Sequence, residues 1–204
     1  MKYPDSAILV FSKAPVAGQV NTRLIPFISA EQAADLHKEF TRDRLQMCTA
    51  AGLCEVQLWC SPDTGHQFFT DCGQLFDVKL QTQYGEDLGA RMSNAIRYML
   101  GSYKKIIIIG TDAPALDSTM IDAVINKLDD NDVVLVPAED GGYVLLGATT
   151  HDEKLLANVP WGSEQVLSST IANIESLGLK YSLFGKCWDV DRPEDLQRYR
   201  DLKI

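Results

Sequence analysis

Short apolar runs alternate along this chain with longer stretches in which apolar residues recur at helical spacing. The first run, Ser6-Ala7-Ile8-Leu9-Val10-Phe11, is ended by Lys13, Pro15 and Gly18 and predicts a buried strand. Ser29-Ala30-Glu31-Gln32 then has capping-box spacing, and Leu36, Phe40 and Met47 follow at helical intervals, predicting a helix from about 30 to 51. Cys54, Val56, Leu58 and Cys60 alternate with polar residues as a second strand, Gly65 to Cys72 reads as a short helix, and Val78 to Gln83 as a weaker strand. A helix opened by Gly85-Glu86-Asp87-Leu88 carries Leu88, Met92, Ala95, Ile96 and Met99 on one face.

Four consecutive isoleucines, Ile106 to Ile109, are apolar on both alternating faces, which suits a strand covered on both sides in the middle of a parallel sheet. Asp117 or Ser118 can cap a helix to about Leu128, and Val133 to Pro137 is a further apolar strand. Tyr143 to Gly147 follows too closely for a helical crossover, so it is expected to pair antiparallel. A helix over roughly 164–177, a short strand from Tyr181 to Phe184 and a helix started by Pro193 complete the chain. The expected fold is a three-layer α/β/α sandwich, Rossmann-like, with a mostly parallel sheet and an antiparallel edge in its second half.

Composition narrows the possibilities. The chain has 204 residues, 46% hydrophobic and 23% charged, and no internal repeat or linker, so one domain over 1–204 is expected. A formal net charge of -9 argues against nucleic acid or an anionic membrane as partner. No apolar run approaches the roughly 20 residues of a membrane span, and the start lacks a signal peptide's pattern, which together read as a cytoplasmic protein. Five cysteines without a Cys-x-x-Cys suggest reduced thiols rather than disulfides or zinc.

Against the acidic background, the stretch between Asp5 and Glu31 holds Lys13 and Arg23 and no carboxylate, which is either a solvated loop or an anion site. Gly110 and Pro114 stop the isoleucine strand and leave Asp112 at the carboxyl edge, where open α/β sheets bind ligands; a plain turn residue is the alternative. Asp191, just before Pro193, either caps a helix or joins Asp112 in holding Mg or Mn. Asp87 and Arg91 have the spacing of an exposed helix pair. In Asp140-Gly141-Gly142-Tyr143 the glycines either make a hairpin turn or let a ligand approach the backbone between a carboxylate and a phenol, and Trp161-Gly162 is either a core anchor or a stacking surface. Asp140 is the candidate general base. His37, His66 and His151 fit no metal or nucleophile pattern and are assigned no role.

Six blocks then occur in order and cover nearly the whole chain. They are Lys13-Ala14-Pro15 through Thr22-Arg23-Leu24, Gly85-x-Asp87-Leu88-Gly89-x-Arg91-Met92, Gly110-Thr111-Asp112-x-Pro114-x-Leu116, Pro137-Ala138-x-Asp140-Gly141-Gly142-Tyr143, Trp161-Gly162-Ser163 and Asp189-Val190-Asp191-x-Pro193-Glu194-Asp195-Leu196. Together they resemble a bacterial family of glycosyltransferase-A-type proteins within the nucleotide-diphospho-sugar transferases, a superfamily that includes 2-phospholactate guanylyltransferase and the molybdenum cofactor guanylyltransferase. The resemblance implies a nucleotide or nucleotide-sugar donor over the first half, near Lys13, Arg23, Asp87, Gly89 and Arg91. It implies a small-molecule acceptor over the second, near Gly141, Gly142, Tyr143, Trp161 and Gly162, with Asp112 and Asp191 converging on one divalent cation. The chain has Asp112-Ala113-Pro114 where glycosyltransferases commonly show Asp-x-Asp, and lacks the glycine-rich loop of nucleotidyltransferases after the first strand. Glycosyl transfer is the expectation, with nucleotidyl transfer and a non-catalytic nucleotide-binding module as alternatives.

Overall fold

The computed structural model describes residues 1–202. Its strands are β1 (Ser6–Lys13), β2 (Glu55–Ser61), β3 (Lys79–Thr82), β4 (Lys105–Ile109), β5 (Val133–Pro137), β6 (Tyr143–Ala148) and β7 (Tyr181–Leu183). The α-helices are α1 (Ala30–Ala51), α2 (Gln67–Phe76), α3 (Leu88–Met99), α4 (Ser118–Lys127), α5 (Val166–Ser176) and α6 (Pro193–Leu202), and a short 3-10 helix covers Thr22–Leu24. The sheet order is β3-β2-β1-β4-β6-β5-β7, which puts the isoleucine strand at the centre. All neighbours run parallel except β6, which lies between β4 and β5 and is antiparallel to both.

The three layers follow from side-chain alternation in the strands. Ile107 and Ile109 join Ile8, Val10 and Leu58 beneath α1, α2 and α4, where Leu45, Phe69, Ile121 and Val124 close the core. Ile106 and Ile108 face the other way with Leu9 and Leu135, against Met92, Ile96 and Met99 of α3 and Ile174 of α5. Burial of each such side chain contributes roughly 1.5–3 kcal/mol, so β4 is held from both faces. A smaller cluster of Leu24, Phe40, Trp188, Val190, Leu196 and Tyr199 fastens α6 and the segment before it onto α1 and the 3-10 helix.

Helix ends are set by the expected local chemistry. Ser29 and Gln32 form the complete capping box of α1, and Gly52 ends that helix at positive φ. Asp87 and Asp117 accept N–H bonds from Ala90 and Met120, capping α3 and α4. One expectation for α3 is corrected: Leu88 is 43% exposed, because the first turn of α3 projects over the sheet's carboxyl edge instead of onto the core.

Candidate functional site

Residues from the carboxyl ends of β1, β3, β4 and β5 line one cleft of about 630 Å³, together with the loops before α5 and α6. Lys13, Arg23, Asp87, Arg91, Asp112, Asp140, Gly142, Tyr143, Trp161, Gly162 and Asp191 all line it. Residues distant in sequence are therefore gathered at the edge of the sheet where the expectation placed a ligand.

Asp112 follows β4, and its backbone oxygen accepts a 2.8 Å bond from Val190 N–H. That bond carries the Asp189-Val190-Asp191 segment to the same place. Burial pushes the Asp112 carboxyl above its ordinary range; its backbone bonding, His37 and Arg44 pull it down, and Asp191 pushes it up again. Asp191 is not a free carboxylate: its Oδ2 is ion-paired with Arg23 Nη1, while Arg23 Nη2 donates to the Gly162 carbonyl at 3.3 Å. The helix-capping alternative for this segment falls to Asp195, whose Oδ2 accepts from Arg192 N–H at 2.8 Å.

The carboxylate that sequence reading passed over is Asp189. Burial raises it most, to about 7, with Asp112, Asp140 and Asp191 adding to the shift. Asp112, Asp140, Asp189 and Asp191 thus interact within one cleft, with the Arg23 guanidinium in the field of the last three. The signal for Asp189 was present in the block around Pro193, but nothing local separates it from Asp191. His37, given no role from sequence, also lines the cleft, with Nε2 at 3.0 Å from the Lys13 carbonyl. His66 instead caps α2 and His151 meets Ser93, so neither enters the cleft.

On the β3 side, Gln83 is 8% exposed and its Nε2 donates to Trp59 O at 2.7 Å and to Ser12 O at 3.3 Å. Two carbonyl partners require the amide nitrogen on that side, so the Gln83 oxygen is left as an acceptor. Arg91 donates to Gly85 O and to Ser61 Oγ, and Asp87 caps α3, so these two residues do not form the helix pair their spacing suggested.

On the β6 side, Asp140 Oδ1 accepts from Gly142 N–H at 2.9 Å, leaving Oδ2 exposed. The rings of Tyr143 and Trp161 meet edge to face at 6.3 Å. The Tyr143 hydroxyl is buried, which pushes its pKa well up, so the ring and not the phenol oxygen faces the cleft. Two glycines expected to meet ligand meet protein instead. A Cβ on Gly141 would lie 2.3 Å from Glu164 O, and one on Gly89 would lie 2.6 Å from Leu156 O and 2.7 Å from Trp161 Nε1. Neither lines the cleft.

The donor set suits a hard divalent cation, since Asp112, Asp189 and Asp191 offer only carboxylate oxygens. Among the described residues no three His, Cys, Asp or Glu side chains form a ready metal cage, so a cation here would need further oxygens from a ligand. Among the described residues no helix is long and apolar enough to cross a membrane.

Known proteins give this geometry a context. A putative nucleotide-diphospho-sugar transferase from Desulfovibrio desulfuricans G20 is 27% identical, with a TM-score of 0.84 over 93% of this chain and 83% of that one. The 4-diphosphocytidyl-2C-methyl-D-erythritolsynthase of Anaerococcus prevotii shares the fold at 12% identity, with a TM-score of 0.62 over 98% and 99% of the two chains. The 2-phospho-L-lactate guanylyltransferase of Methanobrevibacter smithii is 26% identical over 124 residues, 61% of this chain and 54% of that protein, so the likeness spans about half of the relative's length. The family profile described as "Uncharacterized protein conserved in bacteria (DUF2064)" matches residues 44–163, and the chain belongs to that family.

Proposed function

We propose that the protein is a transferase acting on a nucleotide-activated substrate, moving a glycosyl group from a nucleoside diphosphate sugar to a small acceptor. The observation that carries this reading is that one cleft gathers the cationic side chains Lys13, Arg23 and Arg91 together with the carboxylates Asp112, Asp140, Asp189 and Asp191. Its volume of about 630 Å³ falls among those of small-ligand sites. Lys13 and Arg23 would bind the phosphates, Arg91 and the Gln83 oxygen would lie toward the nucleoside, and Asp112 and Asp191, with oxygens of the ligand, would hold Mg or Mn. When bound, such a cation offsets the negative charge that develops on a departing diphosphate.

The chain's own residues then have defined tasks. A phosphate drawn to Arg23 competes with Asp191 for the same guanidinium, so ligand entry frees the Asp191 carboxylate. Asp140, with Oδ2 exposed beyond its Gly142 contact, would take the acceptor hydroxyl's proton from about 3 Å, or through one water. The Tyr143 and Trp161 rings would form an apolar wall for the acceptor.

Likeness to a guanylyltransferase favours a second reading, nucleotidyl transfer from a nucleoside triphosphate with release of pyrophosphate. The deciding experiment is a binding panel of nucleoside triphosphates and nucleotide-sugars with and without Mn, followed by product analysis. Nucleoside diphosphate release supports glycosyl transfer, pyrophosphate release supports the second reading, and nucleotide binding without turnover of any pair would reduce the protein to a binding module.

A further inference from the structure

We propose that α1 is the positioning element of this cleft, through a buried polar stripe of His37, Thr41 and Arg44 that fastens both ligand-bearing turns to one rigid helix. The proposal rests on the transferase reading for its functional meaning, but the clamp itself is a matter of geometry. At 100° per residue these three positions fall on one face of the helix, and they are 7%, 0% and 4% exposed. A helix face that serves only for packing would be apolar there.

All three side chains bond toward the turns or along the stripe itself, although Arg44 Nε is buried without a partner among the described residues. His37 Nε2 lies 3.0 Å from Lys13 O and 3.1 Å from Ser12 Oγ. A carbonyl only accepts, so the imidazole carries a hydrogen on Nε2. Thr41 donates its hydroxyl hydrogen to His37 O at 2.9 Å, which leaves Ser12 to donate to Thr41 at 3.0 Å. The end of β1, with Lys13, is thereby locked to α1.

Two turns further along, Arg44 reaches under the loop after β4. Nη1 donates to Leu116 O at 2.6 Å and Nη2 donates to Ala113 O, so one guanidinium holds both ends of the turn that begins with Asp112. Arg44 makes no ion pair among the described residues. Burying a guanidinium without a bonded carboxylate is costly, and its charge-assisted bonds to two carbonyls offset only part of that cost. What the arrangement supplies is placement: Asp112 O in turn receives Val190 N–H, so the Arg44 clamp also anchors the segment bearing Asp189 and Asp191. His37 and Arg44 are seven residues apart, or roughly 10 Å along the helix axis, so one rigid span braces the Lys13 and Asp112 turns that follow the paired strands β1 and β4.

The test compares wild type with Arg44→Met, Arg44→Lys and His37→Leu, below the melting temperature of each. Two readouts are used: amide hydrogen exchange over residues 111–117 and 13–19, and calorimetric affinity for the best nucleotide of the panel with and without Mn. Arg44→Met is expected to speed exchange in 111–117 and to cut the Mn-dependent gain in affinity about tenfold, the loss expected for one charged hydrogen bond, with Mn-free affinity unchanged. Arg44→Lys should recover most of that gain. His37→Leu should speed exchange in 13–19 and weaken nucleotide binding even without Mn. Variants that melt earlier but exchange and bind as wild type would overturn the proposal and leave the stripe as packing. Should Arg44→Met fail to fold, Arg44→Gln takes its place with the same expected losses, and His37→Leu decides for the Lys13 turn by the same readouts. Wild type that binds no nucleotide refutes the transferase reading instead, and the exchange data alone then decide whether the stripe clamps the turns.

Discussion

Arg23 and Asp191 show how a single contact changes the meaning of two residues. Each is a reasonable ligand-binding group alone, yet they neutralise one another across 168 positions of sequence. The pair is part-exposed, so its own contribution to stability is small, about 0–1 kcal/mol. Arg23→Ala is therefore expected to leave the melting temperature nearly unchanged while weakening nucleotide binding roughly ten- to hundredfold, the worth of a hydrogen bond to a charged group. Calorimetry on the folded variant checks this, and unchanged affinity would remove Arg23 from the phosphate site. Asp112 has the opposite energetics, because burial disfavours its charged form. Asp112→Asn should keep or raise thermal stability and abolish Mn-dependent nucleotide binding. A variant that binds Mn and nucleotide normally would return Asp112 to the status of a turn residue.

At the scale of elements, the loop before α5 and the first turn of α3 are built against each other. Gly89 sits where a Cβ would lie 2.6 Å from Leu156 O, and the Trp161 ring edge closes the same space. Gly89→Ala is expected to cost about 1–3 kcal/mol, as overpacking does, and to shift Trp161 away from the cleft. Thermal melting together with Trp fluorescence reads both effects, and a variant with wild-type values in each would show that the loop gives way freely. The two glycines at 89 and 141 thus act on the site through protein packing: each lets a backbone come close enough to fix a neighbouring ring or carboxylate that does line the cleft.

At the scale of the whole molecule, the sheet keeps every cysteine inside. Cys48, Cys54, Cys60, Cys72 and Cys187 are free and buried. Burial pushes the first three up to about 12 and Cys72 to about 11, so almost no thiolate exists near neutral pH. The native protein is expected to resist a thiol reagent that reacts with all five cysteines after denaturation. Rapid labelling of a native thiol would mean that the core opens locally far more often than its packing implies.

What the sequence determined by itself is whatever is decided within a few residues. Four isoleucines in a row can be satisfied only by a strand covered on both faces, and β4 lies at the centre of the sheet with layers on either side. Ser29 and Gln32 stop the approaching chain and start α1 because their side chains and backbones satisfy one another locally. Pro193 and the aspartates around it likewise mark the start of α6 from within a single turn. The positions of Asp112 at a strand end and of Lys13 on the first loop follow from the same local punctuation. Tertiary structure alone decided the rest, since contact between residues remote in sequence depends on strand order and on which helix packs under which turn. Sequence spacing placed Asp87 beside Arg91, but a helix start bonds first to its own free N–H groups, and Arg91 found Gly85 and Ser61. His37 and Arg44 read from sequence as ordinary polar residues of a long helix. They became the fastening of both turns because α1 lies beneath the carboxyl ends of β1 and β4, where unpaired carbonyls need donors and water cannot reach them.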